Sequence, residues 1–121
     1  MTANVQDRGM KAFVIAERLR EWDADVFERY GPLAAASIAR FGGRYLALSD
    51  KLITLEGPLP PLAMAVIEFP SVEQAKAWYA SSEYQAAAAI RRSGAENRFV
   101  LLAEGAAAEH DPHAILSGKR I

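Results

Sequence analysis

VIEFPSVEQAKAWYASSEYQ, residues 66–85, carries the end of a strand, a helix start and a helix break in one short run. The strand, Ala63 to Phe69, is apolar except for Glu68. Pro70 stops it, because proline brings no amide hydrogen to a ladder. Ser71 with Gln74 has the spacing of a capping box and starts a helix. Ser81-Ser82 breaks that helix, and Ser82 with Gln85 caps a second piece running to about Arg92. Trp78, Tyr79 and Tyr84 form an aromatic cluster across the break.

On the N-terminal side, KAFVIAER (Lys11 to Arg18) is a strand, apolar in the middle and charged at its ends. The turn EWDAD leads into a helix with apolar positions Val26, Phe27, Tyr30, Leu33, Ala34, Ile38 and Phe41, steps of three and four that form one stripe. Gly31-Pro32 predicts a kink or two stacked pieces. Gly42-Gly43 ends the helix in the left-handed conformation that glycine tolerates. Arg44 to Leu48 is the second strand, and Lys51 to Glu56 reads as a short edge arm beyond the Ser49-Asp50 turn. Gly57-Pro58-Leu59-Pro60-Pro61 is a stiff connection to the third strand. Gly94 and Asn97 turn the chain into the last strand, Arg98 to Glu104.

The order β-α-β-(β)-β-α-β predicts an α+β fold with split βαβ topology. Its four-stranded antiparallel sheet is ordered 4-1-3-2, with the helices on one face. Strands one, three and four are apolar on both alternating sets, so the other face also needs covering. Two sheets facing each other in a homodimer bury it most simply.

At 121 residues with balanced charge (net −1), the chain fits one domain and offers no basic field for nucleic acid. The domain is expected over residues 10–105, with a loose extension at 1–9 and a tail at 106–121. Without cysteine there are no disulfides or thiolate sites. The longest apolar run, Leu62 to Ile67, falls far short of the roughly 20 residues that span a bilayer. The start lacks the basic and apolar regions of a signal peptide, so a soluble cytoplasmic protein is the default expectation.

Several short motifs, in this order and spacing, resemble the uncharacterised domain-of-unknown-function family 1330 of the dimeric α/β-barrel superfamily. They are KAFVIAERL from Lys11, ERY at Tyr30, FGGRYL at Phe41 to Leu46, LEG at Leu55 to Gly57, VIEFPS at Val66 to Ser71, and AWYASSEYQ at Ala77 to Gln85. The resemblance spans about Lys11 to Gly105. It implies a ferredoxin-like fold and a homodimer closing a barrel from two sheets. It implies little about activity, since related barrels include cofactor-independent monooxygenases, haem-degrading enzymes, cyclases and stress-response proteins. Ser82 departs from the commoner pattern, in which proline precedes the Glu-Tyr pair; the change affects local capping only.

Glu68 is the one carboxylate beside the apolar middle of a central strand, and the strand order sets it between Lys11 and Arg44. It is a candidate acid/base or ligand anchor, or a cross-strand ion pair at the sheet rim. Arg44 can clamp a carboxylate ligand bidentately or simply pair with Glu68. Tyr30, Trp78, Tyr79 and Tyr84 supply either a core or the wall of a small-molecule pocket between the sheet and the broken second helix. Arg91 follows on the face of Tyr84 and is the better pocket candidate than Arg92. His110 and His113 are the only histidines. Pro112 between them breaks metal-ligand helical spacing, so no metal site is expected. With no phosphate loop or GxGxxG, no nucleotide cofactor is expected, and the candidate site uses no cofactor at all. The chain thus reads as a dimer binding a small aromatic or carboxylated metabolite. Cofactor-independent isomerisation, cyclisation or oxygenation would suit it; a non-catalytic binding or stress-associated module is the alternative.

Overall fold

A computed structural model describes residues 11–20 and 23–103. The extension, the tail with both histidines, and the outer domain boundaries lie outside the described residues. Strand β1 (Ala12–Arg20) leads to helix α1 (Ala24–Arg40) and strand β2 (Arg44–Ser49). Strand β3 (Ala63–Phe69), helices α2 (Val72–Ala80) and α3 (Ser82–Arg92), and strand β4 (Glu96–Leu102) complete the order. The sheet runs β2-β3-β1-β4 with every pair antiparallel, the predicted 4-1-3-2 read from its other edge.

Alternation along β3 buries Ala63, Ala65, Ile67 and Phe69 beneath the helices and turns Met64, Val66 and Glu68 outward. On the helical side Ala12, Val14, Ile67 and Phe69 meet Ala34 and Ile38 of α1, Ala75 and Trp78 of α2, and Tyr84, Ala87 and Ala88 of α3. Alanines at the α1–α3 seam let the two backbones approach closely, and large rings fill the space above the sheet. Trp78 packs 4.2 Å from Tyr84 and 5.2 Å from Phe69, ring centre to ring centre. The Trp78 indole N–H donates to Ser37 Oγ at 3.0 Å, and the Ser37 hydroxyl donates to the Ala34 carbonyl at 2.8 Å. Both buried groups therefore have partners, as buried polar atoms require.

Four local expectations change. Helix α1 runs unbroken through Pro32 rather than dividing into two pieces. The carbonyl of Glu28, deprived of a donor by proline, lies on the exposed side where water can satisfy it. Residues 51–56 form no strand; Ile53 and Leu55 are 85% and 95% exposed, and Thr54 bonds locally to the Pro58 carbonyl. Ser81, rather than Ser82, caps α3, accepting from the Tyr84 amide. Ser71 accepts from the Gln74 amide as predicted, but the Gln74 side chain donates to the Phe41 carbonyl at 2.9 Å instead of closing the box.

The turn after α1 closes as a Schellman motif: Gly42 and Gly43 amides donate to the Ala39 and Ile38 carbonyls, with Gly42 at φ 81°. A Cβ on Gly43 would lie 2.6 Å from the Phe69 ring and 2.9 Å from Ile38, so the core packs directly against its α-carbon. Gly31, inside α1, has nothing within 4 Å. Two glycine-to-alanine changes should therefore have opposite signs in urea denaturation. Gly43→Ala is expected to destabilise by about 1–3 kcal/mol through overpacking. Gly31→Ala should stabilise by about 0.5–1 kcal/mol, because it removes glycine from a helix interior.

Candidate functional site

A cleft of about 70 Å³ opens between the helical face of the sheet, the start of α1 and the end of α3. Phe27 and Tyr30 of α1, Arg91 of α3, and Asn97 and Phe99 of β4 supply most of its chemistry. Tyr45 and Leu48 close it from β2. They are three residues apart and would fall on opposite faces of a regular strand. A bulge at Leu46 shifts the register, pairing Tyr45 with Ile67 and Leu48 with Ala65, so that both turn inward. The sequence carried no sign of this bulge.

The polar centre is a pair of phenols. Tyr30 and Tyr84 hydroxyls lie 2.7 Å apart, with the rings edge to face. Burial pushes the Tyr30 hydroxyl far above the ordinary tyrosine range, and Tyr84 pushes it further. Tyr84, wholly buried, is raised by the same desolvation, against the opposing pull of its bond to Tyr30 and of Arg91. Burial raises Tyr45 too. The Arg91 guanidinium lies 4.4 Å from the centre of the Phe99 ring and 5.7 Å from that of Tyr30. It donates to Asn97 Oδ1 at 3.2 Å, and Asn97 Nδ2 donates to the Glu17 carbonyl at 3.3 Å. Arg18 stacks 3.6 Å over Phe27 at the same end of the sheet.

The residues expected to share one pocket occupy three places. Tyr30 and Arg91 line the cleft, and Tyr84 reaches Tyr30 through its hydroxyl. Trp78 is fully buried core on the far side of Tyr84. Tyr79 is 40% exposed and borders a separate, mostly apolar groove between α2 and β4, with its hydroxyl 3.4 Å from Arg92. Glu68 and Arg44 stand on the opposite face of the sheet. Glu68 accepts from Arg44 Nε at 2.9 Å and pairs with Lys11 at 3.5 Å, between the two neighbours its strand position predicts. The Arg44 hydrogen bond, aided by Lys11, holds the Glu68 carboxyl below the usual carboxylate range despite its partial desolvation. Arg18, Asn97 and Tyr45 escaped the sequence reading.

Comparison with known proteins follows the same lines. Residues 11–106 match the model of a family described as a domain of unknown function (DUF1330), and the chain belongs to that family. No functionally curated protein matches the sequence. A protein of unknown function from Rhodopseudomonas palustris superposes with a TM-score of 0.63 at 19% identity, over 79% of this chain and 83% of that one. A dimeric ferredoxin-like protein of unknown function from Thermobifida fusca gives 0.58 at 18% identity, over 85% and 99%. SnoaB, a cofactor-independent oxygenase from Streptomyces nogalater, gives 0.54 at 14%, over 84% and 98%. At these identities the likeness establishes the ferredoxin-like fold alone. Among the described residues, no helix is long and apolar enough to cross a membrane.

Two titrations test these environments. A phenol whose folded-state pKa is raised contributes stability that is complete below the unfolded value near 10 and is lost as pH rises toward the folded value. Absorbance at 295 nm should therefore show Tyr30 ionising only as the protein unfolds in alkali, and Tyr84 ionising above the ordinary tyrosine value. For Glu68 the sign is reversed, since its folded-state pKa is depressed. Glu68→Gln should cost no more than about 1 kcal/mol, because both cationic partners are over half exposed. That difference should be present above the ordinary value of 4.5 and vanish as pH falls through the lower folded-state value.

Proposed function

From membership of this family and the geometry of the cleft, we propose a homodimer that holds a small aromatic or carboxylated metabolite between sheet and helices in each protomer. The observation that carries the ligand site is the convergence of the Tyr30–Tyr84 hydroxyl pair and Arg91 on an aromatic-walled space. A small-molecule site needs this combination of an apolar body and a few fixed polar groups. If turnover occurs there, it is cofactor-independent chemistry: isomerisation, cyclisation or an oxygenation of the broad type named for SnoaB. Tyr30, kept neutral by burial, would donate a hydrogen bond to oxygen charge developing on the substrate. Glu68 and Arg44, across the sheet, would then serve the rim of the subunit contact rather than this chemistry. The small free volume supports a second reading, a binding module without turnover. A cytoplasmic location belongs to the same proposal.

The dimer rests on the outer face. Register aligns Ile15 with Val66 and Val100, and Phe13 with Leu102, in a stripe across three strands. Val100 and Leu102, on the edge strand β4, are 42% and 46% exposed and extend the stripe as an apolar patch open to solvent. The Thermobifida fusca neighbour is itself dimeric.

Light scattering at micromolar protein should give twice the chain mass of 13.2 kDa; a single 13.2 kDa species would overturn the dimer. Val66→Asp, centred on the stripe, should yield monomer or unfolded chain, because a dry interface leaves the new charge unpaired. A thermal-shift screen across metabolites tests the ligand site: a ligand at about a hundred times its Kd should stabilise by about 2.7 kcal/mol. Hits whose binding survives Tyr30→Phe and Arg91→Lys unchanged would remove the cleft from the proposal.

A further inference from the structure

Arginine stays protonated at any working pH, so a buried guanidinium carries a full charge that must be met by something. Arg91 is only 4% exposed. Its hydrogen-bond partners are both neutral, the amide oxygen of Asn97 and the Tyr84 phenol, and Nε has none among the described residues. No described carboxylate forms an ion pair with it. Glu68 is committed to Arg44 and Lys11, and Glu17, at the edge of the cleft, lies 3.8 Å from Arg98. The guanidinium carbon lies over the Phe99 and Tyr30 rings. Its remaining capacity therefore lies in its plane, along the N–H edge that grips a carboxylate with two parallel hydrogen bonds.

We propose that the cleft is a receptor for a small planar monocarboxylate, its carboxylate clamped by Arg91 and its apolar body lying among Phe27, Tyr30 and Phe99. This rests on the reading of the cleft as a ligand site and adds the class of ligand. The free volume of about 70 Å³ holds on the order of five waters, which limits the ligand to one small ring or a short chain. The neighbouring phenols are neutral donors, so they complement an anion without adding a second positive charge. Arg91 is thus assigned as a binding and specificity-determining residue. A ligand of equal shape with an amide in place of the carboxylate would leave the guanidinium uncompensated, and an ammonium would oppose it.

The test uses the full chain labelled with ¹⁵N, with sodium benzoate, benzamide and benzylamine as probes of similar size and three charges. Benzoate should bind at least tenfold tighter than benzamide, shift the Arg91 Nε–H resonance and those of Asn97 and Phe99, and benzylamine should not bind. Arg91→Lys keeps the charge but lacks the fork; it should lose about tenfold on benzoate while benzamide is unaffected. Arg92→Lys, one residue on and solvent-facing, should change neither. Benzamide binding in the cleft as tightly as benzoate would overturn the carboxylate assignment and leave the ligand site standing. If no probe perturbs cleft resonances in the folded protein, both the ligand class and the site reading are overturned.

Discussion

Ser81 holds two helices with one hydroxyl. Its Oγ donates to the Trp78 carbonyl at 2.7 Å, ending α2, and accepts from the Tyr84 amide at 3.0 Å, beginning α3. The residue is extended, at ψ 147°, so the chain changes direction instead of continuing as one long helix. Without that break, Trp78 and Tyr84 would sit six residues apart on a single cylinder and could not stack at 4.2 Å over the same part of the sheet. The break also sets the direction of α3, and with it the place where Arg91 meets β4. Core and cleft thus share one junction, fixed by two hydrogen bonds of ordinary strength.

How much of this was legible follows from range. Strand alternation in β1 and β3, the Gly42 turn and the Glu68 ion pair depend on local pattern plus one topology, and the residues spell them out. The inward turn of Leu48 depends on a bulge at Leu46, a register effect between strands that no local pattern announces. Aromatic spacing in 78–84 indicated a cluster but not its division: on α2 Tyr79, one step around the helix from Trp78, turns out toward Arg92 while Trp78 goes inward to Ser37. Pro32 misled for a related reason. A missing amide interrupts a helix less where the segment is exposed, and Glu28 and Pro32 are both exposed. Ser82, read as a cap, is instead the first residue of α3, the position where proline itself is favoured. That accounts for how serine can replace the commoner proline without disturbing the helix.

The sheet separates two electrostatic regimes, one on each face. On the outer face a carboxylate is satisfied by two cations, all three reachable by water. On the inner face a cation is enclosed by rings, with phenols and an amide as its polar neighbours. The first arrangement is self-contained and weakly stabilising. The second is incomplete within the described residues, which is the physical asymmetry that makes the inner face the better place to look for chemistry.

The Tyr30–Tyr84 contact joins residues 54 apart in sequence, and Asn97 reaches back 80 residues to the Glu17 carbonyl. All four strands and both long helices contribute to the same small space. No contiguous part of the chain can therefore hold its shape alone, and sub-global opening of either end of the fold dismantles it. Loop closures of this length carry an entropic cost that must be met before any contact in the cleft rewards it. Its integrity is in effect a report on the whole domain: a chain that has the cleft has everything else.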